Sequence, residues 1–179
     1  MKKAIAFGWV FMNRKIQTNH GVTLMELLIL SVIVGIIAAM AVPRFQIAFD
    51  RIKFRSVNRD LSSTVRLARS YAISNKEQYG LCIDGNQMTI TLFKDVVNLG
   101  GLTYESGDSV LRVDTLPQEY TYLGTDCNND VIMFQPNGSA SFTGGGSIFT
   151  TAYTDHVVAI HSNSVLASTG RISTEAYYY

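Results

Sequence analysis

From Val22 to Val42 the chain runs for twenty-one residues with a single charged side chain, Glu26. Only Thr23, Ser31 and Gly35 otherwise interrupt the apolar run. At about 1.5 Å per helical residue such a run spans roughly 30 Å, the thickness of a hydrocarbon core. The apolar region of a secretory signal is shorter, about 7–15 residues, and its small-residue cleavage site lies beyond it. Here the small residue, Gly21, precedes the run. A cut after Gly21 would therefore leave the helix on the mature protein as an anchor. An ionised carboxylate in hydrocarbon is expensive, and intramembrane ionisable residues usually mark function. Glu26 stands near the edge of the run, where that cost is lower.

Beyond Pro43 the helical pattern resumes. Phe45, Phe49, Ile52, Leu61, Val65, Ala68 and Ala72 mostly recur at three- and four-residue spacing, which predicts one apolar stripe on a helix reaching about Asn75. Pro43 removes one backbone hydrogen bond and is the expected kink. From Tyr79 the period changes. Leu81–Ile83 and Met88–Phe93 flank Asp84-Gly85-Asn86 and read as a hairpin. Asn98 to Gly107 reads as loop. Val110–Val113, Tyr120–Leu123, Val131–Phe134, Ser139–Phe142, Val157–Ile160 and Ser164–Leu166 read as strands, with turns at Pro136-Asn137-Gly138 and Gly144-Gly145-Gly146. Tyr177-Tyr178-Tyr179 suits either an exposed tail or a last strand. A helix followed by strands predicts an α+β fold, a long N-terminal helix packed on an antiparallel β-sheet head. The expected divisions are 1–21, a leader; 22–43, the membrane helix; 44–76, its amphipathic continuation; and 77–179, the head.

Charge follows the same divisions. The net charge of +1 hides a leader with Lys2, Lys3, Arg14 and Lys15, a 44–76 segment at +6 and a 77–179 segment at −8. Positive charge N-terminal to a membrane helix keeps that end in the cytoplasm, so the head is expected outside it. Met12 is an alternative initiator that would give a short basic leader. Cys82 and Cys127 both fall in the head. Outside the cytoplasm they are free to form a disulfide, worth roughly 4 kcal/mol in the chain-entropy model, or to stay as two buried thiols.

Gly21-Val22-Thr23-Leu24-Met25-Glu26-Leu27 resembles the cleavage site and N-terminal helix of a type IV prepilin or pseudopilin. The resemblance implies that a prepilin peptidase cuts after Gly21, that Val22 becomes the N-methylated first residue, and that Glu26 meets the N-terminal amine of a neighbouring subunit during assembly. Val22 departs from the phenylalanine or methionine more usual there. An amine and a carboxylate that both enter lipid gain by pairing, whereas a glutamate in a first helical turn is also favoured by the helix dipole alone. Leu67-Ala68-Arg69-Ser70-Tyr71-Ala72-Ile73, Phe134-Gln135-Pro136-Asn137-Gly138 and Thr169-Gly170-Arg171-Ile172 resemble, more narrowly, the GspH/FimT branch. The implied protein is an inner-membrane, single-pass structural subunit. Its head lies in the periplasm, and its partners are other pilins or pseudopilins in a type II secretion pseudopilus or a type IV pilus.

No phosphate-cradling glycine loop, zinc spacing or nucleophile elbow is present, so neither an enzyme nor a cofactor is expected. His156 and His161, read as lying on one strand, would point to opposite faces. Asp126-Cys127-Asn128-Asn129-Asp130 has oxygen ligands at alternate positions, as a calcium loop does. Val131 occupies the position that needs glycine, which makes a polar turn the better reading. Some members of the branch bind DNA through a C-terminal Gly-Arg-x-Arg patch. Here Arg171 is present, but Ser173 replaces the second arginine and Glu175 follows. Phosphates dominate nucleic-acid affinity, and an acidic head repels them, so DNA is the disfavoured alternative.

Overall fold

A computed structural model describes residues 21–179; the basic leader and Met12 lie outside the described residues. One helix, α1 (Leu24–Asn75), is followed by nine strands: β1 (Tyr79–Asp84), β2 (Thr89–Lys94), β3 (Ser109–Thr115), β4 (Tyr120–Cys127), β5 (Val131–Phe134), β6 (Ala140–Ser141), β7 (Gly144–Tyr153), β8 (Val158–Leu166) and β9 (Arg171–Tyr178). The α+β expectation holds, with a refinement. The strands form two antiparallel sheets, one ordered β3-β2-β1-β5-β6 and the other β4-β7-β8-β9. The described residues divide into two units, one reaching to Ala41 and the other Val42–Tyr179.

Within the second unit α1 is buried at Phe54, Asn58, Leu61, Val65, Ala68 and Ala72, alternating four- and three-residue steps. Each large apolar side chain buried this way stabilises by about 1.5–3 kcal/mol. Phe54 meets Tyr120 edge-to-face, with ring centroids 5.9 Å apart. The lower end of the expected stripe differs. Phe45, Phe49 and Ile52 stay exposed, because helical geometry puts them on the side opposite Ile47, Phe54 and Leu61, which meet the core. The buried stripe also includes polar positions. Asn163 on β8 donates to the Asn58 side-chain oxygen at 2.8 Å and accepts from Ser62 at 2.7 Å and Thr174 at 2.8 Å. These four side chains fasten the helix to the second sheet.

The hairpin forms as the spacing predicts, with Asp84 accepting from the Asn86 and Gln87 amides across its turn. Residues 98–107 contain no strand. Just past that loop the buried Asp108 carboxylate accepts the amides of Val96, Val97 and Glu105. Burial opposes its charge, but these three donors outweigh it and hold the carboxyl below its usual range. Three expectations need correction. Gly144-Gly145-Gly146 is not a free turn but opens β7. A Cβ at Gly144, where φ is +111°, would stand 2.1 Å from the Asp126 carbonyl, so glycine permits the close approach. The two segments at 157–160 and 164–166 are one strand, β8. His156 lies in the turn before β8 and is exposed, whereas His161 is on the strand and fully buried. The C-terminal tyrosines mostly belong to a strand, since β9 runs to Tyr178.

Both cysteines are free thiols. Cys127 joins the large core cluster with Phe54 and Leu61, while Cys82 packs on a smaller cluster of Phe93, Val131 and Met133. Alternation along β1 sends Cys82 to the face opposite Leu81 and Ile83, which lie in the large cluster. Burial raises the pKa of each thiol, Cys82 further through Asp84 and Asp130, and Cys127 through Asp126 and Asp130.

Candidate functional site

Two regions carry the sequence-derived site residues. The first is the start of α1. Gly21 and Val22 precede the helix and are exposed. Thr23 is its N-cap: the Thr23 hydroxyl accepts the Glu26 amide at 3.2 Å, and its carbonyl accepts the Leu27 amide at 3.1 Å. A threonine three residues before a glutamate is the sequence form of a capping box, and Glu26 accordingly stands in the first turn, exposed. Its negative charge is favoured there by the helix dipole. Every residue from Val22 to Met40 is exposed, on all sides of the helix. Burying aliphatic surface is the main source of folding free energy, so such a segment demands an apolar surround. Among the described residues α1 is the one helix long and apolar enough to cross a membrane. Pro43 lies within α1, where it cannot donate to the Ala39 carbonyl.

The second region lies on the head, where three separated sequence segments meet. Arg69 of α1 donates from Nε to the Gly138 carbonyl at 2.9 Å. Gly170 closes the turn between β8 and β9, donating to the Leu166 carbonyl at 2.7 Å. Its φ is +62°, and a Cβ there would stand 2.2 Å from the Gly138 carbonyl and 2.8 Å from Arg69 Nε. The beginning of the helix motif, the Pro-Asn-Gly turn and the Gly-Arg turn therefore form one joint. Beside it opens a groove lined by Arg66, Arg69, Arg171, Ser70, Ile73 and Thr169. Arg171 belonged to the sequence reading, and the structure adds Arg66 and Arg69 to it. Their spacing of three residues placed both arginines on one helix face, but sequence gave no signal that β9 would come alongside.

Two of the joint's three segments, those of Arg69 and Gly138, lie among residues shared with a known family. The family model of the type II transport protein GspH matches residues 58–165, more than half of the chain. The chain belongs to the GspH family. The match runs from the buried Asn58 of α1 through β8, and so covers most of both sheets. It begins after Glu26 and ends before Gly170 and Arg171. No curated protein matches the chain, and no solved structure does. Membership of the GspH family places the chain with pseudopilins of type II secretion and implies association with other pseudopilins. The apolar first half of α1 fits a single-pass membrane anchor for such a protein.

Among the described residues no group of His, Cys, Asp and Glu is arranged to hold a metal ion. Asp126 instead accepts the Ser147 amide, and Asp130 closes the turn with its own amide on the Cys127 carbonyl at 3.3 Å.

Proposed function

We propose that this GspH-family chain is a structural minor pilin or pseudopilin, made as a precursor and processed between Gly21 and Val22 by a prepilin peptidase. The observation that carries the reading is the helix start: a Thr23 cap, Glu26 in the first turn, and then apolar side chains exposed on every side as far as Met40. Cleavage frees an amine on Val22 four residues before the Glu26 carboxylate. In an apolar bundle either charge alone would be costly, and each finds its partner in an adjoining subunit. The same enzyme methylates Val22. The exposed Phe45, Phe49 and Ile52 extend the apolar surface that packs against neighbouring helices. The chain takes part in starting a periplasmic pseudopilus or a type IV pilus, with its N-terminus cytoplasmic before assembly and its head periplasmic. It contributes packing surface and no catalysis.

The test is the first residue of the protein recovered from envelopes of cells with an active prepilin peptidase. The expected sequence begins at Val22 with a methylated amine, and Gly21→Ala should leave the precursor uncut. Any other mature start would end the reading.

One observation favours DNA binding as a second reading, namely the meeting of Arg66, Arg69 and Arg171 in one groove. Against it stand Ser173 and Glu175 on the adjoining strand and the −8 balance of residues 77–179. Retention of duplex DNA by the full chain at moderate salt, lost on Arg171→Ala, would favour this reading over the purely structural one.

A further inference from the structure

The arginine groove has no counter-charge of its own. No acidic side chain lines it. The ion pairs among the described residues are Lys53 with Glu119, Lys94 with Glu77, and Arg112 with Asp114, none of them in the groove. Arg69 uses Nε on the Gly138 carbonyl and keeps its two terminal nitrogens. Arg66 and Arg171 are exposed. Guanidinium groups present planar forks that match carboxylates with two parallel hydrogen bonds. Three of them around one cleft repel each other until an anion enters.

The same head carries the complementary surface elsewhere. The Ile83 amide donates to the Asp130 carbonyl at 2.8 Å, which sets Asp130 beside the hairpin residue Asp84. The turn closed by Asp130 and Cys127 brings Asp126 to the same end. The Asp84 carboxylate spends one oxygen on its own turn and Asp126 one on Ser147. Among the described residues the Asp130 side chain has no hydrogen-bond donor, and none of the three acids has an ion-pair partner. No residue of this acidic end lines the groove, so one head cannot satisfy both surfaces alone.

We propose that the groove between α1 and the β8–β9 turn takes the Asp84, Asp126 and Asp130 end of a second copy of this chain. The contact is heterologous: the groove of one copy receives the acidic end of the next, whose own groove stays open. Such contacts continue from copy to copy in rings or filaments. A polypeptide carboxylate is favoured over a nucleic-acid phosphate because the acidic balance of the head attracts a basic groove and repels a phosphate backbone. The inference rests on the filament-subunit reading only in placing two anchored copies side by side in one membrane. The two fail separately, since the N-terminal mass of the same samples reads cleavage after Gly21.

The experiment uses two differently tagged full chains in one membrane, both Cys82→Ser and Cys127→Ser. One carries Ser70→Cys at the groove and the other Asn128→Cys at the acidic end. Mild oxidation should give the mixed dimer. Arg66→Glu with Arg171→Glu in the first copy should lower its yield about tenfold, and Asp126→Arg with Asp130→Arg in the second should restore it. A mixed dimer indifferent to charge reversal, or none at all, overturns the proposal. So does a groove that retains duplex DNA and leaves the second copy unbound. If the chains lacking both native cysteines do not accumulate, co-purification of tagged chains with native cysteines decides. It should be lost at high salt and on the same reversals, and its persistence through both would overturn the contact.

Discussion

Gly170 carries more constraint than its size suggests. It has a positive φ, and a methyl group there would meet the Gly138 carbonyl and Arg69 together. Gly170→Ala should therefore destabilise the head by roughly 1–3 kcal/mol, measured by urea unfolding of the full chain in micelles. His161 sets a pH dependence. It is fully buried, with Nε2 at 3.2 Å from the Tyr178 hydroxyl, and burial pushes its pKa below the ordinary value. The unfolded chain then binds the proton first as pH falls. Stability should be complete above the ordinary histidine pKa and decline below it, by at most about 1.4 kcal/mol per pH unit. His161→Gln should flatten that slope between pH 7 and 5 in thermal melts. Gly21, Glu26 and Arg171 stand out in the sequence because each sits in a short local pattern, but the meeting of Arg171 with Arg66 and Arg69 has no such local sign. The different burial of His156 and His161 has none either, since it depends on where β8 begins and on what covers it.

The long helix owes its hold on the sheets to the Asn58, Ser62, Asn163 and Thr174 network as well as to apolar contact. Asn163→Ala leaves those partners buried without their bonds and should cost about 1–3 kcal/mol. A double variant with Asn58→Ala should lose less than the sum of the two singles, read from urea midpoints. The end of α1 at Asn75 was legible because apolar period and composition change together there. Its lower stripe was misread because the residues at 45, 49 and 52 keep three- and four-residue spacing among themselves but lie on the face opposite Ile47, Phe54 and Leu61. Gly144–Gly146 misled for a related reason. Three glycines look like a flexible link, yet here Gly144 admits the β4 backbone, Gly145 the Asp126 carboxylate and Gly146 the Phe142 ring.

For the molecule as a whole, the α+β class could be read from local alternation, but β7, the continuity of β8 and the division into two sheets could not. The pairing of β1 with β5, and of β4 with β7, joins segments far apart in sequence. The same limit applied to the cysteines, whose separation into two apolar clusters follows from that pairing. Protein purified without reductant should take up alkylating label at both thiols after unfolding. Before unfolding, Cys82 should react ahead of the more buried Cys127, and both slowly because their pKa values are raised. A mass showing neither labelled would mean a bridge had formed. The greasy sleeve of α1 has one further consequence. Up to Met40 it offers much the same aliphatic coat in every direction, with Glu26 its one charged landmark. A rod so uniform can spin among like rods at little cost. Whatever sets its rotational bearing must therefore come from residues beyond Ala41, and changes that alter the choice of neighbour should map there.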